Sequence, residues 1–197
     1  CPFLVPVVAD RLWLVPVGAY CRSTSRVRIP AGATLARLCT TPATEWAIET
    51  TGSRLSPAAL GQLRGHGVSR LHVGVQTLED GVRARIGRRQ KRAALLSRLE
   101  VALEMGFITS VDLVYGLPGE TLAGFVDTVA DLATCGVHGV SLYSLNRSSR
   151  NAAFLRKHEP LPDELQQFSF FQAGEQLLTG FGFAKNHCTH YARPPDE

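Results

Sequence analysis

From residue 45 onward, short apolar runs alternate with segments whose apolar residues recur every three or four positions. The first pattern predicts buried strands and the second amphipathic helices. Trp46-Ala47-Ile48-Glu49 reads as a short strand ending in an acid. Ser56-Pro57 is a helix start, a hydroxyl cap followed by proline at the first helical position. Leu60 and Leu63 give that helix its core face, and Gly65 with Gly67 stop it. Arg70 to Val75 is the next predicted strand, and Leu78 to Ile86 a short helix ended by Gly87. Arg92 to Met105 places Leu95, Leu96, Leu99 and Leu103 on one helical face, closed by Gly106. A strand over Ser110–Tyr115 leads into a Gly-Pro-Gly loop and then a helix capped by Thr121, with Leu122, Phe125, Val126, Val129 and Leu132 apolar and Gly136 at its end. Val140 to Leu145 is a further strand, and Asp163 opens a last helix that runs through Leu178 to Gly180.

Four βα units in series predict parallel strands with right-handed crossovers. The fold class is α/β, and the simplest architecture is a partial (β/α) barrel over residues 45–180, with residues 181–197 opening a C-terminal segment. Residues 1–44 keep no strand or helix period. Pro2, Pro6, Pro16, Pro30 and Pro42 are scattered through them, and Ser23 to Arg28 reads as loop.

In a parallel sheet the side chains at the strands' carboxyl ends converge on one mouth. Glu49, Gln76, Asp112 and Asn146 each end, or nearly end, a separate predicted strand. One such residue is ordinarily a turn or cap residue; four in successive strands read as a ligand-binding mouth. Glu49 can accept from an ammonium group and Asp112 from ribose hydroxyls, while Gln76 and Asn146 can donate and accept. That chemistry suits a nucleoside carrying an amino-acid tail. Tyr115 and Glu120 flank the Gly-Pro-Gly loop, and Glu120 is expected to cap the following helix.

Composition narrows the picture without changing it. The 197 residues are 45% hydrophobic and 19% charged, a globular balance. No run of about 18 apolar residues predicts a membrane span. The apolar start, Cys1 to Val17, is interrupted by Asp10 and Arg11 and does not read as a signal peptide. Much of the net charge of +4 comes from Arg83, Arg85, Arg88, Arg89, Lys91 and Arg92. These read as a solvated helix end, with an anion site for a substrate carboxylate as the alternative. No aromatic residues interleave with them, so nucleic acid is not an expected partner. Cysteines at 1, 21, 39, 135 and 188 are odd in number and widely spaced, which argues against a disulfide framework and for a reducing, cytoplasmic setting. Cys135 reads as a buried small residue. His187-Cys188-x-His190 has a spacing that could hold a metal but lacks a fourth partner, so a substrate-facing or structural loop competes. His66, His72 and His138 read as structural.

Gly74-Val75-Gln76, Arg88 twelve positions after Gln76, the run from Asp112 to Thr121 (D-L-V-Y-G-L-P-G-E-T) and Ser141-Leu142-Tyr143 together resemble the radical S-adenosylmethionine (SAM) enzymes of the oxygen-independent coproporphyrinogen III oxidase family, including its methyltransferase relatives. The resemblance covers about residues 45–194, where Tyr191-Ala192-Arg193-Pro194 matches the segment after the last barrel helix, and its most specific part is the Asp112–Thr121 run. It implies a partial (β/α) barrel of radical SAM type, with S-adenosyl-L-methionine and a [4Fe-4S] cluster as cofactors. Gln76, Arg88, Asp112 and Asn146 fall where the family binds S-adenosylmethionine, and Glu49 where it holds that cofactor's amino group. The implied partners are a small-molecule substrate (porphyrinogen, haem or another heteroaromatic) and an electron donor such as flavodoxin or ferredoxin, with no nucleic acid and no membrane.

The family's cluster motif is C-x-x-x-C-x-x-C. Cys1 stands at its first position as the one expected metal ligand, but Val5 and Val8 occupy the second and third, and valine cannot ligate iron. Residues 1–44 therefore read as an irregular remnant of the cluster-binding region, and the chain as impaired in cluster binding. A truncated product, a reading-frame slip and a degenerate homologue are all compatible with this. Two functions follow. One is a radical enzyme that decarboxylates a porphyrinogen or methylates a heteroaromatic or haem substrate, with Leu145 to Asn151 beside the substrate. The other is a non-catalytic S-adenosylmethionine- or haem-binding homologue. A third possibility is an incomplete fragment that exposes strand edges and its inner face.

Overall fold

The computed structural model describes residues 13–17, 45–158 and 160–196. Within them the strands are β1 (Trp13–Val17), β2 (Glu45–Thr51), β3 (Val68–Gln76), β4 (Ile108–Tyr115), β5 (Gly139–Ser144), β6 (Ala184–Lys185) and β7 (His190–Ala192). The helices are α1 (Pro57–Gly65), α2 (Asp80–Arg85), α3 (Arg92–Glu104), α4 (Leu122–Cys135), α5 (Ala152–Arg156) and α6 (Glu164–Gly180). One sheet runs in the order β1-β2-β3-β4-β5-β7-β6. β2, β3, β4 and β5 are parallel neighbours, as the βα alternation requires. This is the α/β, partial-barrel class that the sequence pattern predicts.

Local chemistry starts and stops the helices where expected. Ser56 accepts from Ala59 N at 3.2 Å, and Thr121 from Gly124 N at 3.0 Å. Asp163 and Gln166 form a reciprocal capping box at the start of α6. Gly136 ends α4 in the left-handed conformation at φ 98°.

Alternation along the strands then sorts the two faces of the sheet. Leu71, Val73 and Val75 of β3, Val111 and Leu113 of β4, and Val140 and Leu142 of β5 are fully or almost fully buried. They belong to one core with Leu60, Leu95, Leu99, Phe125, Val129 and Leu132 of the helices. Each such side chain contributes about 1.5–3 kcal/mol of transfer free energy. The intervening residues, Glu49, His72, Gly74, Ser110, Asp112 and Ser141 among them, face the opposite way.

Four elements go beyond the expectation. β1 lies within residues 1–44, where no strand was expected, and pairs antiparallel with β2. β7 pairs antiparallel with β5, and β6 with β7, so the sheet continues past residue 180 into the segment set apart as C-terminal. α5 is an extra short helix. β6, β7 and α5 have two, three and five residues, too few for a hydrophobic period to show. Among the described residues no helix is long and apolar enough to cross a membrane.

Candidate functional site

Parallel register assembles the polar face from residues far apart in sequence. Thr51, Gly74, Asp112, Ser141 and His190 stand side by side in one cross-strand row. Glu49, His72, Ser110 and Gly139 form the adjacent row. Glu49 and Asp112 are thus two strands apart with β3 between them, and the residue beside Asp112 on β3, Gly74, has no side chain. The charge of Glu49 consequently reaches Asp112. Burial, with that charge added, raises the Asp112 carboxyl to about 6, opposed by a hydrogen bond from Ser141. Burial raises Glu49 as well.

Gln76 ends β3 at a register irregularity and adopts φ 71°, the one positive φ of a non-glycine residue among those described. A side chain in that region costs about 1–2 kcal/mol, so the strand end stores strain where the site lies. Its carboxamide turns back over Gly74: a Cβ built there would stand 2.8 Å from Gln76 Nε2 and 4.0 Å from Arg88 Nη2. Arg88 donates to the Gly74 carbonyl at 3.1 Å, and burial lowers its pKa. Gln76, Arg88, Asp112 and Glu49 are therefore grouped around Gly74, at one end of the sheet. Asn146 lies two residues beyond β5 and is exposed; its carbonyl accepts from Asn151 Nδ2 at 2.7 Å. Cys1 lies outside the described residues.

The Gly-Pro-Gly loop is held by its own acid. Glu120 Oε2 accepts from Gly116 N at 2.8 Å and Leu117 N at 3.2 Å. Glu120 thus braces the loop, while Thr121 caps α4, which corrects the capping role expected of Glu120. Burial lifts its carboxyl to about 8 despite these bonds, helped by the Glu79 charge. Tyr115 packs between Phe125 and Phe171, at ring separations of 6.0 and 6.3 Å.

Of the basic run from Arg83 to Arg92, Arg83 and Arg88 are drawn into the fold, while Arg85, Arg89, Lys91 and Arg92 are exposed. Arg83 is 3% exposed and donates to the carbonyls of Val75, Thr77 and Gln90, at 3.0, 2.6 and 2.7 Å. Arg85 reaches the Pro118 carbonyl at 3.4 Å, and Arg92 pairs with Asp131. A solvated helix end is therefore the wrong description for Arg83, because the carbonyls around the end of β3 need a buried donor.

His187, Cys188 and His190 are split. Cys188 Sγ lies 3.2 Å from His187 Nδ1 at an exposed turn, whereas His190 turns inward to Ser141, at 3.0 Å. His72 Nδ1 similarly meets Ser110 Oγ at 3.0 Å. Sequence reasoning gave Ser110 no role, knew Ser141 only as part of the Ser141-Leu142-Tyr143 motif, and read His190 with His187 and Cys188 as a metal-spaced or loop residue. The two serines were visible in the two-residue alternation of β4 and β5; the pairing of His190 with Ser141 was not, because β7 is too short to show a period.

The donor set fits an adenosyl ligand with an amino-acid tail: acids for hydroxyl and ammonium donors, a carboxamide, an arginine, and a glycine that leaves room. It does not fit an iron–sulfur cluster. The described cysteines are Cys135 and Cys188, on different elements, and burial with the charges of Glu100 and Asp131 lifts Cys135 to about 11, keeping it a thiol rather than the thiolate that iron needs. Among the described residues no three His, Cys, Asp or Glu groups are placed to hold a metal.

Comparison with known proteins agrees with this fold. Residues 24–132 match the model of the radical SAM superfamily. Oxygen-independent coproporphyrinogen III oxidase of Escherichia coli is 31% identical over 156 residues, which are 78% of this chain and 34% of the relative. The heme chaperone HemW of Bacillus subtilis is 38% identical over 155 residues, 76% of this chain and 40% of the relative. Among solved structures, the E. coli coproporphyrinogen III oxidase HemN superposes with a TM-score of 0.70 at 30% identity, covering 77% of this chain and 36% of that one. The chain spans about a third to two-fifths of the length of these relatives. With more than half of its residues matched and the partial-barrel sheet in place, the chain belongs to the radical SAM superfamily, in which S-adenosylmethionine and a [4Fe-4S] cluster are the implied cofactors.

Proposed function

We propose that the polar strand face around Gly74 is the S-adenosylmethionine site of a protein that acts on a porphyrinogen, haem or related heteroaromatic small molecule. The observation that carries this reading is Asp112: a carboxylate on the polar face, raised to about 6, beside a second acid and a serine. A buried carboxylate needs hydrogen-bond donors, and ribose hydroxyls supply two. In this reading Glu49 accepts from the ligand's ammonium, Arg88 pairs with its carboxylate, Gln76 bonds the ribose or base edge, and Asn146 borders the entrance. Bound S-adenosylmethionine would supply radical or methyl-transfer chemistry only with a cluster, which the described residues do not fit. Their own contribution is binding: Asp112, Glu49, Gln76 and Arg88 would hold and orient the nucleoside. Flavodoxin or ferredoxin would be the electron donor of the complete enzyme, and the cytoplasm its setting.

A non-catalytic, haem-handling role is the second reading, favoured by the 38% identity to a heme chaperone. Titration with S-adenosylhomocysteine and separately with haemin divides the two. Saturable nucleoside binding that weakens about 10- to 100-fold in Asp112→Asn, the loss of bonds to a charged acceptor, supports the site. Unchanged affinity in that variant sinks it. A one-to-one Soret shift with haemin supports the second reading.

A further inference from the structure

The hydrogen-bonded chain behind Asp112 has a use that nucleoside binding by itself does not require. From Asp112 it passes to Ser141, whose Oγ is 3.0 Å from His190 Nδ1. His190 Nε2 is 3.3 Å from Asp196 Oδ2, a buried oxygen with no hydrogen-bond partner of its own, while Asp196 Oδ1 pairs with Arg70. Four elements and the chain's last turn meet in this line: β4, β5, β7, residue 196 and β3. We propose that His190 is a positioning residue for Asp112, taking up through Ser141 the proton that the carboxyl must give up when it receives ribose hydroxyls. The proposal rests on the nucleoside reading of Asp112.

Hydrogen-bond valence dictates the mechanism. Ser141 has one hydrogen to give. With His190 neutral and its N–H on Nε2 toward Asp196, Nδ1 accepts and Ser141 must donate to it. Asp112 can then bond Ser141 only as the protonated acid, donating its own O–H. With His190 an imidazolium, both ring nitrogens carry a proton: Nε2–H faces the Asp196 carboxylate as an ion pair, and Nδ1 donates to Ser141. Ser141 then rotates its hydrogen toward Asp112, which accepts as a carboxylate. The two states hold the same number of protons. One O–H bond breaks at Asp112, one N–H bond forms at His190, and the hydroxyl of Ser141 passes the proton by giving one and taking one.

Burial and the Glu49 charge raise Asp112 to about 6, and burial with the charges of Arg70 and His187 lowers His190 from 6.5. The groups facing the line also take part. Glu49 across β3 and the Tyr143 phenol on β5 face Asp112; Arg70, His187 and Asp196 face His190, and His72 lies in the neighbouring row on Ser110. Bound hydroxyl donors favour the carboxylate at Asp112 and so drive the proton to His190 rather than to solvent.

Isothermal titration of the full chain with S-adenosylhomocysteine near pH 5.5, in buffers of different ionisation enthalpy, reads the proton directly. In the wild type little or no proton is released. In His190→Gln, which can donate to Asp196 but cannot hold a proton, release rises to on the order of one proton per ligand. Affinity in this variant then falls by up to about tenfold per pH unit below pH 6. Equal proton release in both proteins overturns the proposal. Where neither protein binds S-adenosylhomocysteine, it is the nucleoside reading that fails, and a ligand-free measurement still decides the relay. By NMR the titration midpoint of the His190 ring must move in Ser141→Ala and in Asp112→Asn, since each breaks the line at a different link. A midpoint that stays put in both variants overturns it.

Discussion

At neutral pH Asp112 carries a charge that the fold disfavours, because burial and the Glu49 charge raise its pKa from 3.8 to about 6. A carboxyl with a raised folded-state pKa stabilises the native state fully below its unfolded value, and that contribution is lost as pH rises through the folded one. Asp112→Asn should therefore stabilise the protein by about 2–3 kcal/mol at pH 7.5 and leave it unchanged below pH 4, while weakening nucleoside binding. Denaturant melts at the two pH values check this. Glu120, raised from 4.5 to about 8, follows the same sign over a higher window. Glu120→Gln keeps an acceptor for Gly116 N and Leu117 N, so its melting temperature should exceed that of the wild type at pH 9 and match it below pH 4. Gln76 makes the converse case through backbone strain. Gln76→Gly should gain about 0.5–1 kcal/mol by relieving φ 71°, whereas Gln76→Ala should not. The acids and Gln76 were legible as strand-end residues in the sequence; the positive φ was not, since it arises where β3 slips register against β4.

At the scale of elements, the helix ends carry much of the local specification. α4 has a hydroxyl at its start and a left-handed glycine at its end, and its face of Phe125, Val129 and Leu132 is fully buried. Thr121→Ala should cost about 1 kcal/mol. A drop in melting temperature together with faster hydrogen exchange at Gly124 N would check it, and unchanged protection would count against the cap. These signals lie within a few residues of one another, which is why α1, α4 and α6 could be placed from sequence. β6, β7 and α5 could not, because they are shorter than the period that would reveal them, and β6 and β7 form only where β5 offers an edge.

Over the whole molecule, close packing decides against local preference. A Cβ added at Gly174 in the middle of α6 would come within 2.9 Å of Leu142 Cδ1 and 3.1 Å of Phe125 Cε1. Helix propensity favours Gly174→Ala by about 1 kcal/mol, but overpacking costs about 1–3 kcal/mol, so the expected net is destabilisation, measured as a lower denaturant midpoint at constant slope. An increase would show that α6 can move off β5 and α4. The same distinction separates what was readable along the chain from what was not. Periodicity, caps and breakers are local, and by themselves they determined the α/β class, the parallel central strands, and Glu49, Gln76, Asp112 and Asn146 as the residues to watch; Arg88 was added by the family resemblance. Which side chains share a row depends on register between strands more than 20 residues apart, and no local pattern encodes it. Only the tertiary structure decided that the Gln76 carboxamide turns back over Gly74, that Arg83 serves backbone carbonyls, and that β7 brings His190 and Asp196 up to Ser141 beside Asp112.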